Sequence, residues 1–320
     1  MKASGSGALC DLPSVGRWEF GGFAYGTEPL VLPGVGEPDG PTVPSPAVDY
    51  TGSCRHLAAL GRRGLLIPEV APCESPEELF WFRWLTGHQV CFIVWRLIAQ
   101  LVDDLAEDRR SSAEALPLIS RYVDGYSVML LYTGSCPPHL YNALIRPSMR
   151  RRHRAFSGAW APDYWPIRDL FRRGRLPVSD DADRGELHDA IRLLHLIHDG
   201  VAARLVADGR SLLRESAVRG PGHGPAGLIY DAYFTTLRAP VTRHEVVAQL
   251  LRRLVAIAQD VAANGLYAAD DTIRTAELRA AEVTKFESGL VDILHGVAQQ
   301  ACDLPSPLLP SSGHGGGMSR

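Results

Sequence analysis

His88 stands inside the most apolar stretch of this 320-residue chain, Leu85 to Trp95, between Arg83 and Arg96. Three- and four-residue spacing puts it on one helix face with Trp81, Trp84, Leu85, Phe92, Trp95, Ala99 and Val102, a face that points inward. An imidazole in that setting is either a core residue satisfied by one hydrogen bond or a group held dry for proton transfer. Its unperturbed pKa of about 6.5 suits proton transfer near neutral pH. Two further histidines share the helical run ELHDAIRLLHLIHDGVAARLV. There the spacing Leu187, Ile191, Leu194, His198, Val201, Leu205 places His198 on the inward stripe, and His195 falls nearer the edge with His188, Arg192 and Asp199. A third group is the arginine run in MRRRHRAF: Arg150, Arg151, Arg152 and Arg154. Guanidinium is planar and can pair bidentately with a carboxylate, although such runs are ordinarily solvated.

The elements that must hold these groups read as helices. Ser75-Pro76-Glu77-Glu78 is a helix start, with Ser75 as cap, Pro76 in the first turn and Glu78 completing a capping box. That helix is expected to run to about Asp104. Others are expected over 112–132, 186–207, from the Thr242/Glu245 capping box to Ala263, and over 270–302. No alternating pair of runs joined by a tight turn predicts a sheet of consequence. The fold class is therefore all-α. Residues 1–48, rich in Gly and Pro, read as an extended arm, 49–304 as one helical catalytic domain, and 305–320 as a disordered tail.

Several chemistries are excluded. A formal net charge of -3 offers no basic surface for nucleic acid or anionic lipid. The six cysteines contain no CxxC pair. Glu-x-x-His, HExxH and Walker A patterns are missing. The one GxGxxG match, Gly222 to Gly227, does not follow a strand, so it reads as a mobile loop rather than a nucleotide site. The first residues lack a signal-peptide run, and no apolar stretch is read as a membrane span, so a cytoplasmic protein with reduced thiols is expected.

The segments Asp49-Tyr50-Thr51-Gly52, HLAALGRRGLLIP and SPEELFWFRWLTGHQVCFIVWRLIAQLVDDL resemble the N-terminal half of tryptophan 2,3-dioxygenases. There a Tyr-Gly segment leads to a helix bearing a His-Gln pair whose histidine lies over the haem on the substrate side. The matching pair here is His88-Gln89, and a substrate-pocket Phe four residues earlier corresponds to Trp84. The family's next segment leads to an arginine that holds the substrate carboxylate, and MRRRHRAF occupies that place. The family's E-L-W-F-K becomes Phe92-Ile93-Val94-Trp95-Arg96, and its G-T-G-G-S loop is not found. The stretch Gly220 to Gly227, with His223 at its tip, is expected to stand in for that loop. With these departures the chain resembles a divergent branch, the haem-dependent L-tyrosine 3-hydroxylases of antibiotic pathways, which make L-DOPA.

That resemblance implies a single-domain helical bundle of the tryptophan/indoleamine 2,3-dioxygenase type around haem b. It implies His88 as the proton-transfer group, and a tyrosine ring among Trp81, Trp84 and Phe92. The carboxylate would lie on Arg150, Arg151, Arg152 or Arg154, with His223 closing over it. The axial ligand is expected to be His198, which its stripe would shield from water, with His195 the alternative and His244 and His295 behind. The partners are L-tyrosine and H2O2 or O2, in a homo-oligomer such as a dimer over whose neighbour the arm could lap. The rival readings are dioxygenation of an indole, a haem sensor or carrier without turnover, and a helical interaction protein with no cofactor.

Overall fold

The computed structural model describes residues 25–40, 71–177, 184–206, 211–212, 223–268 and 274–303. Helix α1 spans Pro76–Ala106. Its N-terminus is capped by the Ser75 hydroxyl, which accepts from the Glu78 amide at 3.2 Å. The expected capping box is only half made: the Glu78 carboxylate does not accept from the Ser75 amide, and the Ser75 hydroxyl donates to the Glu77 carboxylate at 3.4 Å. Helix α2, Ser112–Gly134, begins where the Glu114 carboxylate accepts from the Ser111 amide at 3.1 Å. A turn at Pro138–Leu140, a π-helical turn at Tyr141–Ile145 and helix α3, Arg146–Arg152, follow without a break. After two 3-10 turns come α4, Arg168–Arg173, and α5, Gly185–Leu205. Then come α6, His223–Tyr233, and α7, Arg243–Asn264, the latter with the reciprocal Thr242/Glu245 box that its sequence announces.

Three expectations are corrected. The final helix is not continuous: α8, Ala281–Ser288, and α9, Leu290–Asp303, part at Gly289, whose amide bonds back to the Phe286 carbonyl at 3.1 Å. Glycine is a poor helix former, so a break there costs little. The described part of the N-terminal arm, 25–40, is not a free arm either. Strand β1, Leu30–Leu32, pairs in parallel with β2, Thr236–Arg238, and Leu30 and Leu32 are completely buried. Finally, 223–227 are helical, so the glycines expected to form a loop lie partly in the first turns of α6; residues 220–222 and the His223 side chain lie outside the described residues, as do 49–70 and the tail 305–320.

Helix α2 packs between α1 and α5. Small residues allow this: a Cβ on Gly87 of α1 would overlap the Thr133 methyl group, and one on Gly134 would meet Val201 of α5. Across the bundle, Arg83 of α1 grips Asp260 of α7 bidentately at 2.8 and 2.9 Å, with exposures of 1% and 0%. Tyr132 of α2 donates to the same carboxylate at 2.5 Å. Helix α1 is long and apolar enough to cross a membrane by composition, yet 78% of its most apolar window is buried within the protein.

Gly87→Ala should destabilise the protein by about 1–3 kcal/mol, the usual cost of overpacking, because it pushes α1 off α2. At Gly158 an added methyl meets nothing within 4 Å, so Gly158→Ala should shift urea unfolding by less than about 0.5 kcal/mol. Equal midpoints for the two variants would refute the close approach.

Candidate functional site

From Leu79 to Ile98, α1 is sealed on all sides except at three residues, Trp81, Trp84 and His88. Their spacing makes them one stripe, partly open to solvent at a recess and partly packed against the core. The wall opposite comes from other elements. Tyr233 of α6 meets Trp81 edge-on at 6.1 Å, Tyr141 of the π-helical turn meets Trp84 at 5.9 Å, and Phe234 stacks on His88 at 4.4 Å and 17°. Trp84 lies 4.2 Å from the His88 ring, tilted by 52°, and 6.4 Å from Phe234.

The His88 ring is half-buried at its edge and otherwise surrounded by protein. Its Nδ1 lies 2.7 Å from the Trp84 carbonyl. A carbonyl can only accept, so Nδ1 carries the hydrogen and Nε2 keeps its lone pair. Burial pulls the pKa down to about 4, against the opposing pull of that hydrogen bond. The imidazole is therefore neutral at physiological pH.

Gln89 sets the stacking partner. Its side-chain amide donates to the carbonyls of Phe234 at 2.9 Å and Glu28 at 3.0 Å, and reaches the Thr235 hydroxyl at 3.3 Å. Its oxygen accepts from Arg253 Nε at 2.9 Å. Thr235 adopts a φ of 49°, a left-handed conformation that a β-branched residue disfavours. The Gln89 bonds hold that turn, and with it the Phe234 ring.

Polar groups edge the recess. The Tyr233 and Ser148 hydroxyls are 2.7 Å apart, and burial pushes the Tyr233 phenol up to about 12. Burial also raises Tyr141, and the charge of Arg146 opposes that rise. Trp84 Nε1 is buried beside the Tyr233 phenol, and its N–H opposes the rise of that phenol.

Of the residues singled out by sequence, the structure brings Trp81, Trp84 and His88 together. Phe92 is fully buried one turn further on, braced edge-to-face against Phe234 at 5.4 Å, so it stands behind the recess rather than in it. Arg150, Arg151, Arg152 and Arg154 are exposed. Arg152 is the member whose charge reaches Tyr233. The arginine at the Tyr141 edge is Arg146, which sequence reasoning missed; its place one helical turn before Arg150 was the available signal.

The placement of His198 on an inward stripe is corrected. Its side chain is 60% exposed and lies 3.4 Å from Asp199. The buried positions of α5 are Leu187, Ala190, Ile191, Leu194, Ile197, Gly200, Arg204 and Leu205. The stripe passes through Ile197, one residue before His198, and Arg204 joins it because its guanidinium donates to the Gly134 and Cys136 carbonyls. His195 is also solvent-facing, with Nε2 2.9 Å from the Phe171 carbonyl. It lines a cavity of about 520 Å³ between α4 and α5, with Leu170, Phe171 and Ile191 on its floor and Arg172, Arg173 and Arg192 at its edge. Among the described residues no three His, Cys, Asp or Glu side chains converge as an all-protein metal cage.

Residues 49–190 match the family model described as SfmD 3-methyl-L-tyrosine peroxygenase. That match supports a tyrosine-modifying peroxygenase family and an oxidising enzyme. It spans less than half of the chain, includes α1 to α4 and the start of α5, and ends before His195 and His198. No curated protein matches the chain.

The His88 imidazole should titrate with a midpoint near pH 4 when followed by NMR in cofactor-free protein. In the unfolded chain it titrates near about 6.5. The folded pKa is the lower of the two, so the stability tied to neutral His88 is complete above the unfolded value and drains away as pH falls towards 4. A folded-state midpoint at the unfolded value would mean that the ring is hydrated and the recess open.

Proposed function

We propose that this protein hydroxylates L-tyrosine at the ring carbon next to the phenol, giving L-DOPA, with peroxide as the oxidant and a haem b bound against the Trp81–Trp84–His88 recess. The observation that carries the reading is that stripe, the least buried part of α1 from Leu79 to Ile98, lying inside the segment matched by a tyrosine peroxygenase family.

The residues fit such a group. Aromatic walls and a desolvated imidazole with a free Nε2 lone pair suit a planar macrocycle with a substrate beside it. Neither α5 histidine lines the recess: His195 faces solvent at the cavity between α4 and α5, His198 is open to water, and α2 stands between α5 and α1. When bound, the haem supplies the oxygen-transfer chemistry.

The chain's own side chains do the rest. His88 Nε2 accepts a proton from peroxide or from the substrate phenol and returns it to the departing oxygen. Burial keeps that nitrogen unprotonated down to about pH 4. Trp81, Trp84 and Phe234 exclude water and hold the substrate ring. The carboxylate of the amino acid falls to the arginines of the α3 region, where Arg146 and Arg152 are the pair whose charges reach the recess phenols. The family description also favours a second reading, in which the substrate is a ring-methylated tyrosine.

His88→Ala should keep its haem and lose about 10²-fold or more in turnover, the scale of a general acid-base group. Haem-loaded protein is incubated with H2O2 and either tyrosine or 3-methyltyrosine, and catechol products are followed by mass spectrometry. A gain of one oxygen atom on tyrosine supports the reading, and one on 3-methyltyrosine alone moves it to the second substrate. Full activity in His88→Ala removes His88 from the mechanism.

A further inference from the structure

A file of aromatic side chains, oxidisable at Tyr233, Tyr230, Trp95, Tyr126 and Tyr164 and bridged by Phe156 and Phe92, leads away from the recess. Tyr233, on its wall, and Tyr230 both lie against the Phe156 ring, at 4.9 and 5.4 Å between centroids. Tyr230 meets Phe92 at 5.6 Å, and Phe92 meets Trp95 at 5.8 Å. Trp95 then touches Tyr126 at 5.1 Å and Tyr164 at 5.3 Å. Burial raises the Tyr126 and Tyr230 phenols, and the Cys91 side chain adds to both shifts, which puts a thiol beside them. Tyr230 and Trp95 are buried, whereas Tyr126 and Tyr164 are half-buried, so the file begins at the recess and ends at solvent.

Packing alone is a poor account of these side-chain types. Leu, Ile or Phe would fill the same volume without polar atoms. Instead Trp95 Nε1 is buried without a hydrogen bond among the described residues, a cost that phenylalanine would avoid. What tyrosine and tryptophan offer that phenylalanine does not is easy loss of one electron.

We propose that Tyr230, Trp95, Tyr126 and Tyr164 form a one-electron relay that drains oxidising equivalents from the recess to the surface when no substrate is there to take them. The proposal rests on the peroxide-driven reading above. Peroxide needs two electrons and two protons to become two waters. With substrate absent, two phenols supply them, each losing one electron and its hydroxyl proton to become a neutral phenoxyl radical. The electrons pass inward along the file and the protons leave to water at its half-buried end, where burial raises the Tyr164 phenol and the Arg172 charge partly opposes that rise. A small-molecule thiol or ascorbate-type reductant then returns one hydrogen atom to each phenoxyl.

The test uses the full chain loaded with haem, its Soret absorption recorded first, then mixed with H2O2 without tyrosine and freeze-quenched for EPR. The expected result is a tyrosyl radical signal that Tyr126→Phe/Tyr164→Phe loses, along with a several-fold fall in the number of peroxide additions survived. Hydroxylation with tyrosine present should be unchanged. Trp95→Phe, upstream of both exits, should give the same loss, so the test does not depend on the double variant folding. Haem-loaded variants with the parent's radical signal and peroxide tolerance would overturn the relay alone, while hydroxylation persists. A protein with no Soret band would overturn the underlying reading and the relay with it.

Discussion

The buried pairing of Arg83 with Asp260 sets the rotation of α1, and the rest of the site depends on that rotation. A guanidinium buried this deeply would be costly without its carboxylate, and neither can turn away once the bundle closes. Tyr132 and Ser135 and the carbonyls of Gly265 and Leu266 take up further hydrogen-bonding positions on the pair, so α2 and the end of α7 are tied to the same point. On the other flank of the stripe, Gln89 and Arg96 are anchored in the same way. Gln89 bonds Arg253, Glu28 and Phe234, and Arg96 bonds Asp39. With anchors on both flanks, only one face of α1 can present Trp81, Trp84 and His88 to the recess.

These anchors come from far apart in the chain. The family match covers the helix that bears the stripe, but Phe234, Tyr233, Arg253, Asp260 and Glu28 all lie outside residues 49–190. The matched part carries the reactive groups and the unmatched part holds them in position. The short parallel pairing of β1 with β2 contributes to that positioning. It brings Glu28 and Pro29 to Arg253 and fixes the turn at Thr235 that aims Phe234 at His88.

The electrostatics of the recess follow from the same closure. Among the described residues no charged group acts on His88, so desolvation is opposed by one carbonyl alone, and the ring stays neutral. Tyr233 and Tyr141 have hydroxyl or guanidinium partners and are shifted by burial all the same. Charge is thus kept at the α3 edge of the recess, where a charged substrate group would meet it, and away from the imidazole.

Much of this was legible in the amino-acid sequence by itself. The helical periods, the Ser75 and Thr242 caps and the grouping of Trp81, Trp84 and His88 on one stripe depend on residues a few positions apart, and local geometry decides them, whereas that stripe is the least buried part of α1 from Leu79 to Ile98 rather than its most inward face. The phase of α5 was not legible to one residue. Leucines and histidines alternate there so closely that Ile197 and His198 both fit an amphipathic pattern. Only Arg204, turning inward to buried carbonyls of the α2 terminus, settles which of them is buried. Tertiary structure likewise decided that 25–40 packs into the core, that Phe92 braces the wall and that Arg146 stands at the recess. Each outcome depends on contacts between residues distant in the chain, and no periodicity along a single segment encodes those.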